Sequence, residues 1–452
     1  MPPRLGANDP GGRKVDFKDI YQGKLMSVQD AAQLIESGDR IFLGGGGSTP
    51  AALMDAVSMR RDLHDIKVIA ANGGTPMLCL SDPECFSRVG TVSFFLGSKD
   101  REFYDLGNVE AASIHFHRSL RAVRDVYHAN VHMVEVTEPD EDGYLYFGVR
   151  GVCWSPAARW CDKRIYQINS FQQKTAGSCN RIHISEVTAL CRHDHELNHY
   201  VYKTSPEDEL MASHVAPMVH DGDTVQIGFG GLPNAIAYRL ADRKHLGIRS
   251  EVVTDAMLEL MRKGVVDRDR VKAGFIITTT GQVDEELLPY IDLGPIDEIN
   301  DPFETGKIEN FVSINSGLMA DLTGQICSEN INGRQYSGTG GQLDFVRAAA
   351  LSKGGRSILC VKSTHRRKDG RLESNIKAAL PEGAAVTTPR SDVMYVATEY
   401  GVAELFDQTF EERAYRLINI AHPAFRMPLF EEAVERNIIR KGHADPGRIS
   451  RV

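Results

Sequence analysis

The run Thr224-Val225-Gln226-Ile227-Gly228-Phe229-Gly230-Gly231-Leu232-Pro233 ends an apolar strand in a glycine turn and opens a helix. Backbone N–H groups at such a helix start, with no Cβ in the way, can seat a phosphate or a developing oxyanion. Gly228, Gly230 and Gly231 are followed by Leu232-Pro233, so the motif departs from the GxGxxG of a dinucleotide turn, and a plain tight turn explains it equally well. A second cluster, Tyr336-Ser337-Gly338-Thr339-Gly340-Gly341-Gln342-Leu343-Asp344-Phe345, also presents backbone amides, and its bland reading is a loop that needs positive φ. Two such loops in one chain favour a shared site with an acid between them. The other tempting groups read as packing. Cys191-Arg192-His193-Asp194-His195-Glu196-Leu197-Asn198-His199 lacks a second Cys or His cluster at zinc spacing, so no metal site is expected. His115-Phe116-His117 alternates on an expected strand and reads as packing or surface. Cys179 and Cys327 have no His beside them and read as small buried hydrophobes.

The elements that must position these groups come as an internal repeat. Gly38-Asp39-Arg40-Ile41-Phe42-Leu43-Gly44-Gly45-Gly46-Gly47-Ser48-Thr49-Pro50 matches Gly222 to Pro233, with Gly44 facing Gly228 at an offset of 184. Leu63-His64-Asp65-Ile66 then faces Leu246-Gly247-Ile248. Each copy reads as strand, glycine turn, Pro-started amphipathic helix (Ala235, Ile236 and Leu240 in the second) and strand, a βαβ unit made twice. On this alignment Glu251, in Ser250-Glu251-Val252-Val253-Thr254-Asp255, faces Ile69, so a carboxylate stands where the twin is apolar. A Glu at a strand end is otherwise usually a solvated surface residue. Further apolar runs at Val68 to Ala71, Val131 to Val136 and Ser357 to Val361 alternate with helical stretches, which predicts an α/β fold of mainly parallel sheets flanked by helices in both halves.

The 452 residues suffice for two or three domains, and 42% hydrophobic with 25% charged residues is the composition of an ordinary globular protein. No apolar run approaches the ~18 residues of a spanning helix, which argues against a membrane protein. A net charge of −9 opposes loose nucleic-acid binding. Eight cysteines without CxxC pairing, and an N-terminus without a signal-like apolar segment, predict reduced thiols in the cytoplasm. Residues 1–14 are expected as a flexible tail and 441–452 as a basic one. Between them lie an N-terminal domain over 15–205 and a C-terminal domain over 206–440, divided at the polar Lys203-Thr204-Ser205-Pro206-Glu207-Asp208-Glu209, which suits a linker or a helix start.

Several motifs occur in an order that carries a resemblance: Gly228 to Ile236, Leu246 to Glu251, Ile299-Asn300-Asp301-Pro302, Ser313-Ile314-Asn315-Ser316, Asp321-Leu322-Thr323-Gly324-Gln325, Ser337 to Phe345, Val386-Thr387-Thr388, Thr398-Glu399-Tyr400-Gly401 and Ala421-His422-Pro423-Ala424-Phe425-Arg426. From about Leu25 to Phe430 the chain resembles the acetyl-CoA hydrolase/transferase family of class I CoA-transferases, and most its 4-hydroxybutyrate CoA-transferase branch. The resemblance implies two similar α/β domains with the active site at their interface, in a homodimer or larger homo-oligomer. It implies transfer of CoA between an acyl-CoA and small carboxylic acids, with coenzyme A as substrate and carrier and no tightly bound cofactor or metal. Glu251 falls at the position of the nucleophile. The backbone amides of Phe229 and Gly341 fall at the oxyanion donors, Asn300 would orient the Glu251 carboxylate, and Glu399 would lie beside the same pocket. Gly228, Gly230, Gly231, Gly340 and Gln342 are the expected CoA contacts, so that the second domain would hold most of CoA.

The chain departs from the family pattern at Met319, where Glu is expected, and at Asp255-Ala256 for Asp-Gly. Asn375 stands where Ser-Arg-Ile has its Arg, and Phe406-Asp407 replaces Arg-Gly. Two other readings stay beside the transferase. An acyl-CoA hydrolase differs only in admitting water to the glutamyl intermediate; a catalytically altered acyl-CoA-binding protein would fit the departures.

Overall fold

A computed structural model describes residues 17–45, 47–70, 75–177 and 179–450. The expected tail at 1–14, Gly46, Ala71 and the terminal Arg451 and Val452 lie outside the described residues. The chain makes two compact units. One comprises residues up to Ser93, Gly97–Glu110 and Leu120–Asn198; the other comprises Phe94–Leu96, Ala111–Ser119 and His199–Val452. The division therefore falls at Asn198, a little ahead of Ser205, and two short early segments belong to the second unit.

The first unit is a seven-stranded sheet of β1 (Arg40–Leu43), β2 (Ile66–Ala70), β3 (Val89–Ser93), β4 (Val109–Ala111), β5 (Val131–Val136), β6 (Lys163–Ile168) and β7 (Ala189–Arg192), in spatial order β4-β3-β2-β1-β5-β6-β7. The β2-β1-β5-β6-β7 pairs and β2-β3 are parallel. Every residue of β5 is buried, as both-face coverage requires. Helix α1 (Ala51–Met59) crosses from β1 to β2 and buries Leu53, Met54 and Val57.

The second unit repeats this order with β8 (Thr224–Ile227), β9 (Leu246–Thr254), β10 (Val266–Ile277), β11 (Asp292–Leu293), β12 (Phe311–Gly317), β13 (Arg356–Val361), β14 (Tyr395–Thr398) and β15 (Gly401–Glu404). The sheet runs β11-β10-β9-β8-β12-β13-β14-β15, parallel up to an antiparallel β14–β15 hairpin. Ser205 caps α2 (Pro206–Val215) through a capping box with Asp208, so the polar stretch starts a helix. Helix α3 (Gly231–Tyr238) links β8 to β9. The chain thus has an α/β fold of two similar, mainly parallel sheets flanked by helices.

Strand register corrects the sequence alignment beyond the first helix. Arg40 is level with Lys67, whereas Thr224, its counterpart at the 184-residue offset, is level with Gly247. Gly247 therefore answers to Lys67, and Glu251 to Ala71, not to Ile69. The loop between helix and strand differs in length between the copies, and a sequence match across it slips by two residues. The C-terminal stretch also departs from expectation. Residues 441–450 are no tail: Ile449 is 5% exposed in the core with Tyr415, Leu417 and Phe430, Arg448 pairs with Glu412, and the Ser450 carbonyl accepts from Arg426. Ile449 is an anchor hidden in a stretch that composition marks only as basic.

Candidate functional site

The site grows from the C-terminal ends of β8, β9 and β12. Val225 is level with Ile248 and Ile227 with Ile314, so by continuation Gly228, Glu251 and Asn315 stand side by side on one face. One layer lower, Gln226 accepts from Ser313 Oγ and Asn315 Nδ2 at 2.8 Å each. Gly228 is the next position, where even an added Cβ would make only ordinary contact, 3.6 Å from Asn315 Oδ1.

Glu251 is the only residue of β9 that is not fully buried. Its Oε2 accepts from Asn300 Nδ2 at 3.0 Å. Local sequence explains where Asn300 sits. It ends the short helix α4 (Ile296–Ile299), donating its own N–H to Ile296. Asp301 then caps the next turn, with its side chain accepting from Phe303 and Glu304, and Pro302 takes the first helical position. Asn300 is 0% exposed, and its Oδ1 has no partner among the described residues. Burial pushes the Glu251 carboxyl up to about 7; the Asn300 bond pulls it down and the charge of Asp344 pushes it further up.

Gly341 caps helix α5 (Gln342–Leu351) and closes the site from the other side. A Cβ there would lie 2.2 Å from Asn300 Nδ2 and 2.4 Å from Glu251 Oε2. Its φ is −95°, so the glycine is required by close approach and not by a left-handed turn. Gly340, with φ +59°, does make such a turn. Neither the Phe229 N–H nor the Gly341 N–H has an acceptor among the described residues. Phe229 follows Gly228 in the turn after β8, its ring packed near Tyr202. The structure therefore brings together Glu251, Asn300, Gly341 and the Gly228-Phe229 turn.

The remaining expected residues are placed differently. Glu399 follows β14, and four strand spacings of about 4.8 Å put it roughly 19 Å across the sheet from Glu251. It is held there by the N–H and hydroxyl of Ser363, at 3.0 and 2.5 Å. Gln342 donates to Thr388 Oγ1 at 2.9 Å. Gly231 has a reason of its own to be glycine, because a Cβ would meet the Lys203 carbonyl at 2.3 Å. Gly230 has φ +131°. Among the departures, Met319 is buried in a small three-stranded sheet, and Asn375 is tied to His365 and the Lys362 carbonyl.

The His and Cys groups also resolve. His195 gives Nε2 to the buried Glu135 at 2.6 Å, and Asp194 takes Arg192 and the Ser170 N–H. Among the described residues no His, Cys, Asp and Glu group could hold a metal ion, and no helix is long and apolar enough to cross a membrane. None of the eight cysteines is joined in a disulfide. Cys327 is buried as expected, but Cys179 is only half-buried, with Arg159 against its sulfur at 3.2 Å. Phe116–Arg118 is a single 3₁₀ turn, not a strand. His117 there reaches Asp344 of α5, a partnership that the spacing of the two residues in sequence gave no sign of.

Comparison with known proteins identifies the family. Residues 12–201 match the acetyl-CoA hydrolase/transferase N-terminal domain, and residues 280–433 match the C-terminal domain. The chain is 34% identical to the succinyl-CoA:cyclohexane-1-carboxylate CoA transferase of Geobacter metallireducens, over 94% of this chain and 98% of that one. It is 32% identical to the 4-hydroxybutyrate coenzyme A transferase of Clostridium kluyveri, over 93% and 100%. The crystal structure of RipA from Yersinia pestis superposes with a TM-score of 0.88 at 32% identity, covering 94% of this chain and all of that one. The chain belongs to the acetyl-CoA hydrolase/transferase family and is an enzyme of the CoA-transferase type.

Proposed function

We propose that the protein is an acyl-CoA:carboxylate CoA-transferase working through Glu251. The observation that carries this reading is a carboxylate in a mostly buried position with a single donor among the described residues, Asn300, so near Gly341 that a Cβ there would lie 2.4 Å from Oε2, and level with Gly228. A carboxylate so little satisfied keeps lone pairs for attack. Glu251 adds through an oxygen to the thioester carbonyl carbon. The tetrahedral oxyanion collapses as the C–S bond breaks, giving an acyl-glutamyl anhydride and CoA thiolate. The thiolate attacks the glutamyl carbonyl and releases the first acid, leaving a glutamyl-CoA thioester. An incoming acid repeats these steps in reverse and departs as its CoA ester. Each intermediate stays an activated acyl group, so the thioester free energy is conserved. N–H donors held in place for the oxyanion supply on the order of 3 kcal/mol each; Phe229 and Gly341 are the proposed pair. Coenzyme A is substrate and carrier, and Gly228, Gly230, Gly231, Gly340 and Gln342 remain proposed contacts for it.

Glu251→Ala should abolish exchange of CoA between acetyl-CoA and butyrate and leave the fold intact. Borohydride added to enzyme and acyl-CoA alone should reduce a glutamyl thioester at residue 251 and inactivate it. Full exchange in Glu251→Ala refutes the mechanism. Hydrolysis is the second reading, because the family description includes it; acetyl-CoA consumption that is independent of an added acid would establish it. A homo-oligomer and a cytoplasmic location are further proposals, open to light scattering and fractionation.

A further inference from the structure

The segment 111–119 is tied to the loop before α5 at three successive points. Ser113 Oγ lies 2.8 Å from Thr339 Oγ1, the Phe116 N–H donates to the Gly340 carbonyl at 3.1 Å, and His117 grips Asp344 twice. In that grip the His117 N–H donates to Asp344 Oδ2 at 3.0 Å while Nδ1 stands 2.7 Å from Oδ1. The Asp344 side chain is only 2% exposed, and the His117 ring is 27% exposed. His115 stacks on His117 with centroids 6.0 Å apart and has its Nδ1 3.9 Å from the same carboxylate. These contacts fasten the turn whose Gly341 lies so close to Glu251 and Asn300 that a Cβ there would fall 2.4 Å from one and 2.2 Å from the other.

The geometry points to His117 as a positioning residue for the Glu251 site: by holding Asp344 it fixes the Gly340–Gly341 turn and offsets the negative charge that Asp344 places beside the Glu251 carboxylate. The inference rests on Glu251 being the nucleophile. The charged and titratable groups of this cluster include His115 and His117, which face Asp344 from the segment 111–119, Arg118 and Arg347, which act on His115, and Glu251 of β9, on which Asp344 acts. Arg347 is turned to Asp392, at 3.2 Å, which leaves the imidazoles as the nearest donors to Asp344. Attack needs Glu251 ionised. Its carboxyl is held up by burial and by Asp344, so the acid limb of the pH profile reads how well Asp344 is offset.

The test measures kcat/KM for acetyl-CoA against pH, with butyrate as acceptor, in the full-length enzyme and in His117→Ala, His117→Asn, Asp344→Asn and Glu251→Ala. Removing the imidazole should move the acid limb to higher pH and lower kcat about tenfold near neutrality, with KM changed less than about threefold. Asp344→Asn should move the limb to lower pH, because it removes the charge that opposes ionisation. His117→Asn, still able to donate, should return toward the parent. A merely structural contact predicts a lower melting temperature with the limb unmoved. An unmoved limb in His117→Ala, or one that moves in the same direction as in Asp344→Asn, overturns the inference. Should His117→Ala fail to fold, an unmoved limb in Asp344→Asn overturns it equally. Exchange surviving in Glu251→Ala would instead overturn the nucleophile, whatever the His117 variants show.

Discussion

Gly341→Ala separates a glycine kept for its turn from one kept for its site. At φ −95° and ψ 1° an alanine meets no backbone strain. A role in turn-making alone therefore predicts a nearly silent change. The added methyl would, however, stand 2.2 Å from Asn300 Nδ2 and 2.4 Å from Glu251 Oε2. Ordinary contact begins near 3.4 Å, so the carboxylate and its one donor must retreat by about 1 Å, and a misplacement of that size costs about a hundredfold in rate. Overpacking of this kind costs roughly 1–3 kcal/mol of stability, enough to lower the melting temperature by several degrees without unfolding the protein. Gly333→Ala is the control. It sits at φ +73° with nothing within 4 Å of the new methyl, so it should lose about 1 kcal/mol and keep its activity. The assay is steady-state exchange between acetyl-CoA and butyrate beside a thermal melt. Parental kcat in Gly341→Ala would refute the placement of Glu251 and Gly341 in one site.

Three further outcomes are expected. Burial holds the Glu251 carboxyl at about 7 instead of 4.5, so the folded protein keeps a proton that the unfolded chain releases, and stability falls as pH rises from about 4.5 to 7. Glu251→Gln escapes that loss and should exceed the parent in stability by on the order of 2–3 kcal/mol above about pH 7.5, with no difference near pH 4.5; equal melting temperatures at both pH values would count against the buried charge. His195 is pushed up to about 9, first by its bond to Glu135. Its stabilisation is therefore complete below about pH 6.5 and lost as pH rises toward 9, a dependence that His195→Gln should abolish in thermal melts. Deleting 441–452 exposes the pocket of Ile449 and removes the Arg448–Glu412 pair; it should cost about 2 kcal/mol or more, and an unchanged melt would show the stretch to be dispensable.

Much of the framework was legible because hydrophobic patterning and glycine turns are local signals. The strand at Val131–Val136, the two strand–turn–helix–strand copies and the Ser205 helix start all reflect residues close in sequence. Glu251 stood out because the repeat gave it an apolar twin, and that survives the corrected register, since Ala71 is apolar too. What stayed hidden depends on contacts between distant segments. His117 and Asp344 are 227 residues apart, and nothing in His115-Phe116-His117 marks it as an arm reaching α5. Glu399 shows the same dependence on distant segments: its motif implies membership of the pocket, and strand order sets it four strands from Glu251, a spacing no local pattern displays. Gly341 and Gly340 look alike in sequence, yet one is glycine for approach and the other for φ, a distinction that only coordinates draw.

The two copies also differ in what they leave open for chemistry. In the first unit the place of Gly228 is taken by Gly44, whose missing Cβ is crowded by Ser48 Oγ and Val134 Cγ2, both 2.6 Å away. The slot that is open beside Asn315 in the second unit is thus filled by the chain itself in the first. Each unit buries a carboxylate near its strand ends, but they are satisfied very differently. Glu135 takes Gln167 at 2.9 Å, Asn169 at 3.1 Å, Gln172 at 3.0 Å and His195 at 2.6 Å. Four donors occupy its lone pairs and bind β5 to β6 and to the chain beyond, so attack by Glu135 would first have to break the structure that holds it. Glu251 has Asn300 alone among the described residues. An under-satisfied buried carboxylate costs stability, and a fold tolerates that cost where the free lone pairs are put to use. Hydrogen-bond saturation, more than burial or position in the repeat, separates Glu135 from Glu251, the glutamate proposed as nucleophile.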